Sequence, residues 1–242
     1  MRIYHTSDLH DHRDIAPALR ALRAGKPGFL FDCGDSLRGS QTVYHRNEPI
    51  IAQLDAAGYD AQAMGNREFH YVYAALKARA RAMQHPLLCS NLIDLRGRPH
   101  PFRSSLVLAD AHTGGTAHLF GVLVPQYAAG SAWERFFGWR FLDPIETVHR
   151  YAQDVPQGDA LVVLSHIGLS LDRKLAAAVP RIDLILGGHS HDTLWQPEVV
   201  GQTPIVHAGP YGAFVSRSEL VFATSMQRWT MQEFALLPLR NS

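Results

Sequence analysis

The chain opens with the stretch 1–12, which reads MRIYHTSDLHDH. Residues 2–5 form a short run of β type, and two polar residues end this run just before Asp8. His10 follows Asp8 with one residue between them, so a carboxylate and an imidazole can point into the same space at the end of a strand. Asp oxygen and His nitrogen are ordinary ligands of divalent metals. The stretch therefore offers a candidate metal site at the end of a strand, although an Asp-x-His pair alone is more typical of a capped loop with a solvated His.

The length of 242 residues is compatible with one large α/β domain or with two small ones. Hydrophobic residues make up 46 % of the chain, which is enough for a sizeable core, and neither repeats nor a linker divide it, so we expect a single catalytic domain over 1–242. The 23 Lys and Arg nearly balance the 22 Asp and Glu. This balance argues against a nucleic-acid surface and against a polybasic contact with a membrane.

Cysteine usage and the N-terminus predict a cytoplasmic protein. Cys33 and Cys89 each lie inside an apolar, strand-like run, which favours buried, reduced thiols over a disulfide framework. The N-terminus lacks a basic segment followed by an apolar one, and no apolar run approaches the ~18 residues of a membrane span.

The periodicity of apolar residues alternates between the strand and the helix pattern along most of the chain. Helices are predicted at 15–24, 48–57, 68–83, 144–155 and 171–179. Buried strands are predicted at 28–33, 59–64, 85–91, 160–164 and 182–186, a hairpin at 104–109 and 116–124, and further strands at 204–208, 214–222 and 229–236. The aromatic segment 125–143 is less regular, and it fits either a satellite cluster or lid, or a wall of the substrate pocket.

Potential metal ligands follow five of these apolar strands directly. They are Asp8 and His10, Asp35, Asn66, His166, and His189 with His191. In open α/β sheets the carboxyl ends of the strands form the edge where ligands bind. Seven nitrogen and oxygen donors exceed what one small ion needs, whereas two ions that share a bridging carboxylate can use them all. The pattern therefore predicts a two-metal hydrolase site.

At these positions the chain resembles the calcineurin-like metallophosphoesterases, and more closely their 5′-nucleotidase and 2′,3′-cyclic phosphodiesterase branch. The matching stretches are Asp8-Leu9-His10, Gly34-Asp35, Gly65-Asn66-Arg67-Glu68, Ser165-His166 and Gly188-His189-Ser190-His191. The resemblance implies an α/β fold in which two mixed β-sheets pack as a sandwich flanked by helices, in four layers (α/β/β/α). It also implies in-line attack on phosphorus by a hydroxide shared between two metal ions.

The same resemblance assigns the ligands to two ions. One ion would be held by Asp8, His10 and His191, and the other by Asn66, His166 and His189. The carboxylate of Asp35 would bridge them. Mixed oxygen and nitrogen donors admit Mn²⁺, Fe or Zn²⁺, and similarity to the family favours Mn²⁺.

The chain departs from the family pattern at two positions. The resembled enzymes protonate the leaving group with a His directly after the motif's Asn, supported by an Asp three positions later. Here these positions are Arg67 and His70. Arg does not release its proton near neutral pH. Either His70 supplies the proton while Arg67 and Asn66 bind phosphate, or the site has no dedicated acid and favours good leaving groups, or it turns over poorly.

The expected substrates are small phosphate mono- or diesters, with nucleotides or cyclic nucleotides as the candidates. Secreted members of the family often carry a further C-terminal domain that binds the base, and this chain ends near the expected end of the catalytic domain. Base recognition is therefore expected from segment 125–143 or from a partner subunit. The alternative function is a non-catalytic, metal-binding scaffold of the same fold that acts in protein interaction. The oligomeric state is left open.

Overall fold

The computed structural model describes residues 1–239, which form six α-helices and fourteen β-strands. The helices are α1 (Ala16–Gly25), α2 (Ile50–Ala57), α3 (Tyr73–Ala82), α4 (Ala132–Phe137), α5 (Pro144–Ala152) and α6 (Leu169–Ala178). The strands are β1 (Arg2–Thr6), β2 (Phe29–Asp32), β3 (Ala61–Ala63), β4 (Leu87–Leu88), β5 (Leu92–Asp94), β6 (Leu106–Ala109), β7 (Thr116–Leu123), β8 (Trp139–Phe141), β9 (Ala160–His166), β10 (Leu184–Gly187), β11 (Glu198–Val200), β12 (Thr203–His207), β13 (Phe214–Ala223) and β14 (Arg228–Pro238).

Two six-stranded mixed sheets carry the fold. The first has the order β14-β13-β1-β2-β3-β4, in which β1 to β4 run parallel and β13 pairs antiparallel with β1. The second has the order β11-β12-β10-β9-β7-β6, with four parallel strands between two antiparallel edge strands. In each sheet the parallel strands bring their carboxyl ends to one edge, where the polar motifs begin.

The side chains of neighbouring strand residues alternate between two hydrophobic layers, as the two-residue period of a strand requires. Phe31 of β2 and Val162 of β9 share a cluster between the two sheets, whereas Leu30 packs with residues of α1 and α2. Val163 of β9 packs on the other side with residues of α5 and α6. Helix, sheet, sheet and helix therefore form four layers, which confirms the predicted sandwich.

The predicted helix at 68–83 is wrong over its first turn, because α3 begins only at Tyr73. Residue Val72 has an extended backbone, with φ −81° and ψ 118°. The carboxylate of Glu68 binds backbone N–H groups of the turn before it and of the β2 loop, and this turn replaces the first helical turn. The predicted strand 85–91 likewise shrinks to β4.

The hairpin and the free cysteines follow the sequence prediction. Strands β6 and β7 pair antiparallel, and Cys33 and Cys89 are both buried and free. The aromatic segment 125–143 contains helix α4 and strand β8, and several of its rings stack on Tyr71 near the start of α3. Within residues 1–239, none of the helices has the length and apolar character that crossing a bilayer requires.

Candidate metal centre

Backbone hydrogen bonds join the loops that follow β1, β2 and β3. The Asp8 N–H donates to the Gly34 carbonyl at 2.9 Å, and the His10 N–H donates to the Asp35 carbonyl at 2.9 Å. The Arg67 N–H donates to Asp35 Oδ1 at 2.7 Å. These bonds fix where the side chains of the three loops start, so the geometry of the centre is built into the backbone.

Five of the seven predicted ligands bring their donor atoms close together in two overlapping groups. Asp8, His10 and His191 form one group, and Asp8, Asp35 and His166 form the other, with the ligand atoms of each group within 4.8 Å of one another. His10 Nε2 lies 2.9 Å from His191 Nε2. His166 Nε2 lies 3.4 Å from Asp35 Oδ1, and His191 Nε2 lies 3.6 Å from Asp8 Oδ1. The Asp8 carboxylate is common to both groups.

The remaining two predicted ligands border these groups. The His189 N–H donates to both carboxylate oxygens of Asp8, at 3.0 and 3.1 Å, and its ring centre is 5.0 Å from that of His166. Asn66 lines a cavity together with His10, Asp35 and Arg67. All seven predicted ligands thus lie at one edge of the sandwich, and their assignment to two ions, with Asp35 as the bridge, stays a prediction.

Five of the seven predicted ligands have a left-handed backbone. They are Asp8 (φ 52°), His10 (φ 47°), Asp35 (φ 59°), His189 (φ 76°) and His191 (φ 59°). This conformation is uncommon for residues with a side chain and persists where the surroundings enforce it, often at functional sites. Asp and His tolerate it better than most residues. The tight loops therefore point short, polar side chains inward immediately after each strand.

The donor set fits divalent cations. His166 Nδ1 donates to the Cys33 carbonyl at 2.6 Å, which leaves Nε2 as the free ring atom, and this Nε2 is buried without a hydrogen-bond partner. His10 Nδ1 is also buried and unpartnered. Within residues 1–239 the buried carboxylates of Asp8 and Asp35 form ion pairs with His only. Buried carboxylates normally pair with a cation, and His with one ring nitrogen held by a carbonyl is oriented as a metal ligand.

The pKa values in the centre reflect this concentration of acids and imidazoles. Burial, followed by the positive charge of Arg67, lowers the pKa of His10 to about 4. Burial and His166 lower the pKa of His189 to about 4. Against the effect of burial, Asp35 raises the pKa of His166 to about 10, and burial raises the pKa of Asp8. Neutral imidazoles such as His10 and His189 are in the state that binds metal.

Glu68 organises the centre, a role that the sequence reasoning did not assign. Its buried carboxylate accepts hydrogen bonds from the backbone N–H groups of Asp35 (2.7 Å), Ser36 (2.9 Å), Leu37 (3.2 Å) and Gly65 (2.9 Å). The loop after β2 and the loop after β3 are therefore tied to one side chain. The sequence does contain a signal for this role, because Glu68 is the last residue of the Gly65-Asn66-Arg67-Glu68 motif.

Gln126 is a second residue that sequence reasoning missed. Its Nε2 donates to Asn66 Oδ1 at 3.1 Å and to the Val124 carbonyl at 2.7 Å. The amide of Asn66 is thereby oriented by a residue sixty positions away in the chain. Gln126 lies in an irregular stretch, and nothing in its sequence surroundings indicates this contact.

A cavity of about 350 Å³ opens beside the ligands. It is lined by His10, Asp35, Arg38, Gly39, Ser40, Gln41, Val43, Asn66 and Arg67. Arg67 Nη1 donates to the carbonyls of Leu37 and Arg38, both at 3.3 Å. The structure therefore places Arg67, which the sequence predicts to bind phosphate, at the wall of a cavity next to the candidate metal ligands.

His70, the predicted proton donor, is not among the residues that line this cavity. Its Nδ1 accepts the Val72 N–H at 3.0 Å, and its Nε2 is buried without a hydrogen-bond partner. Burial and the charge of Arg79 lower the pKa of His70. The ring packs edge-on against Tyr44. The acid role of His70 stays a prediction, and the geometry gives it no support.

Comparisons with known proteins identify the family. Residues 1–193 match the family model of the calcineurin-like phosphoesterases. The chain is 30 % identical to the uncharacterized metallophosphoesterase YunD of Bacillus subtilis, an alignment that covers 94 % of this chain and 51 % of YunD. It is 26 % identical to the trifunctional nucleotide phosphoesterase protein YfkN of Bacillus subtilis, over 92 % of this chain and 18 % of that protein. The chain thus spans about half or less of these relatives.

A solved structure agrees with the fold. The 5′-nucleotidase precursor from Thermus thermophilus superposes with a TM-score of 0.80 at 21 % sequence identity, over 98 % of this chain and 54 % of that one. At this identity the likeness shows the fold alone, whereas the family itself is shown by the model that matches residues 1–193. The chain belongs to the calcineurin-like phosphoesterases, which confirms the family predicted from its sequence.

Proposed function

We propose that this protein is a two-metal phosphoesterase that hydrolyses small phosphate esters. The observation that carries the proposal is the convergence of Asp8, His10, Asp35, His166 and His191, in which the buried Nε2 of His166 lacks a hydrogen-bond partner. The donors are carboxylates and imidazoles, which hold Mn²⁺, Fe or Zn²⁺. Family resemblance favours Mn²⁺.

We assign one ion to Asp8, His10 and His191 and the other to Asn66, His166 and His189, with Asp35 between them. When bound, two such ions would activate water as the nucleophile and stabilise negative charge on the phosphoryl oxygens. The protein itself holds the ligands in place. Glu68 fixes the two loops that carry Asp35 and Asn66, and four backbone N–H groups depend on it.

The side chains around the cavity favour an anionic substrate. Arg67 carries a permanent positive charge and forms no ion pair with any residue of 1–239, and Asn66 offers an amide beside it. A planar guanidinium can bind two phosphate oxygens at once. Nucleotides are the substrates we favour, because the relative YfkN is named a nucleotide phosphoesterase. The two free, buried cysteines fit the reducing cytoplasm that the sequence predicts.

The test is hydrolysis of p-nitrophenyl phosphate and bis-p-nitrophenyl phosphate by metal-stripped protein, with Mn²⁺, Fe²⁺ or Zn²⁺ added back singly. Bound metal is counted by mass spectrometry on the same samples. We expect two ions per chain and activity that returns with metal. The Asp35→Asn variant removes the proposed bridging charge and should lose at least about 10²-fold in kcat.

Asp154→Asn is the matched control, because it makes the same chemical change at an exposed position just after α5. It should keep wild-type activity and metal content. Full metal occupancy without hydrolysis of either ester would overturn the proposal in favour of a metal-binding scaffold. Failure to bind any of the three metals would overturn the centre itself.

A further inference from the structure

We infer that the preferred substrates carry a phosphoanhydride, and that Arg67 binds the phosphate that leaves. The inference rests on the proposed function and names the substrate class of the same site. The cavity wall offers no proton for a departing alcohol, but it does offer a fixed positive charge. A diphosphate ester such as a nucleoside diphosphate suits such a site, because its leaving group is an anionic phosphate.

Few groups around the cavity can give up a proton. Among its lining residues within 1–239, the carboxyl and imidazole groups are those of Asp35 and His10, and both belong to the candidate metal ligands. His70, the other candidate, is only 6 % exposed and does not line the cavity. The cavity therefore has no side chain free to act as a general acid.

Arg67 has two guanidinium nitrogens available for a ligand. Its Nη1 is held by the carbonyls of Leu37 and Arg38, which fixes the plane of the guanidinium. Its Nε and Nη2 have no partner among residues 1–239. It lines the same cavity as His10 and Asp35. A guanidinium that is held in place, forms no ion pair within 1–239 and lines the cavity beside candidate metal ligands is suited to a second anionic group on the substrate.

The neighbouring Arg38 differs from Arg67, because its guanidinium lies close to a carboxylate. Arg38 also lines the cavity, but its Nη2 donates to the Asn47 carbonyl at 3.2 Å and its Nε lies 3.9 Å from Glu48 Oε2. Part of its charge is therefore already balanced. Arg67 is consequently the residue we assign to the leaving phosphate.

Alcohol and phosphate leaving groups differ in whether they need a proton in order to depart. An alkoxide has a conjugate acid with a pKa near that of water, about 15.7, and leaves slowly unless it is protonated. A phosphate monoester leaves as an anion whose second pKa is about 6, so it needs no proton near pH 7. Its extra negative charge is what a guanidinium can stabilise. A cavity that offers Arg67 and no free acid therefore disfavours alcohol leaving groups and favours phosphate ones.

The reaction balances without a further reactant. The oxygen of water forms a bond to the terminal phosphorus of the diphosphate. The bond from that phosphorus to the bridging oxygen breaks, and its electron pair stays on the bridging oxygen, which becomes a terminal oxygen of the leaving phosphate monoester beside Arg67. One water proton remains on the new inorganic phosphate, and the other passes to solvent.

The experiment compares ADP, AMP and p-nitrophenyl phosphate with the metal-restored wild-type protein. ADP and AMP share their nucleoside, so recognition of the base cancels in their ratio, and p-nitrophenyl phosphate offers a good leaving group without a second phosphate. We expect kcat/KM for ADP to exceed that for AMP by at least about 10²-fold, the smaller end of what a general acid contributes. Arg67→Ala should lower the ratio of kcat/KM for ADP to that for p-nitrophenyl phosphate by about 10²-fold.

A binding measurement gives a second readout. We expect the metal-loaded protein to bind α,β-methylene-ADP, which cannot be cleaved at its P–C–P link, about 10- to 100-fold tighter than AMP. Arg67→Ala should abolish this preference. Arg20→Ala, at an exposed position of α1, removes the same charge elsewhere and should change neither ratio.

The outcomes separate this inference from the proposed function. If metals restore hydrolysis of p-nitrophenyl phosphate but ADP is cleaved no faster than AMP, the phosphoanhydride preference is wrong while the phosphoesterase stands. If Arg67→Ala lowers kcat/KM for all three substrates by the same factor, Arg67 binds the reacting phosphate and the inference is overturned. If p-nitrophenyl phosphate is not hydrolysed with any metal, the proposed function fails first.

Discussion

Replacing Glu68 with Gln removes one charge from the interior and keeps the size of the side chain. In the native protein Oε2 accepts the N–H groups of Asp35 and Gly65, and Oε1 accepts those of Ser36 and Leu37. All four partners are donors, so the group binds them as a carboxylate. Burial raises the pKa of Glu68, and the backbone donors of Asp35 and Gly65 oppose that shift.

The magnitude follows from this count of donors. Gln has one oxygen, and its amide nitrogen is itself a donor, so two of the four N–H groups lose their acceptor whichever way the amide turns. Each unsatisfied buried donor costs about 1–3 kcal/mol, which gives about 2–6 kcal/mol for the substitution. For a chain of this size 1 kcal/mol lowers Tm by about 2–4 °C, so Tm should fall by roughly 5–20 °C. Metal affinity should fall by about 10-fold or more, because Glu68 supports the loops that carry Asp35 and Asn66.

Calorimetric unfolding of the metal-free protein measures the first effect, and titration with Mn²⁺ measures the second. Glu146→Gln is the control, since Glu146 is exposed in the first turn of α5 and makes the same exchange of carboxylate for amide. It should change Tm by less than about 2 °C, as surface substitutions usually do. A Glu68→Gln protein with the Tm and the Mn²⁺ affinity of the wild type would refute the argument that Glu68 organises the centre.

Three further changes probe other parts of the structure. His70→Gln should leave the rate ratio between an alkyl and a nitrophenyl phosphate within about twofold of wild type, and a selective loss of about 10²-fold for the alkyl ester would restore His70 as the general acid. Burial lowers the pKa of His85 from 6.5 to about 4, so the unfolded chain binds the proton first and the free energy of unfolding should decrease as pH falls from 6.5 towards 4. The slope contributed by this group, at most about 1.4 kcal/mol per pH unit, should vanish in His85→Asn and persist in His149→Asn, and chemical unfolding at several pH values measures it. Gln126→Ala should weaken Mn²⁺ binding by about 10-fold, because it releases the amide of Asn66, and an unchanged titration would contradict that role.

The positions of the candidate ligands were predictable from sequence because each follows an apolar strand directly. Asp35 comes three residues after β2 ends at Asp32, and His166 is the last residue of β9. A parallel sheet brings such ends together whatever the order of its strands. The two mixed sheets and their helices were predictable for the same reason, since the alternation of strand and helix patterns dictates the class of fold.

The first turn before α3 was not predictable from periodicity. Residues 68–83 show apolar spacing typical of a helix, yet the helix begins at Tyr73. The side chain of Glu68 satisfies N–H groups of the preceding loops, and this tertiary contact overrides the local preference. The contact of Gln126 with Asn66 was hidden for a similar reason, because it joins residues sixty positions apart.

The left-handed backbone of five candidate ligands is the feature that sequence patterns convey least. A left-handed residue costs about 1–2 kcal/mol, so these five positions together decrease the free energy of unfolding. Hydrogen bonds between loops offset this conformational cost, such as those from the Asp8 and His10 N–H groups to the carbonyls of Gly34 and Asp35. Each partner lies more than twenty residues away, so the sign of φ at Asp8 depends on a loop that no local window contains. Sequence therefore predicts which side chains reach the site, whereas the backbone geometry that aims them arises only when the loops meet.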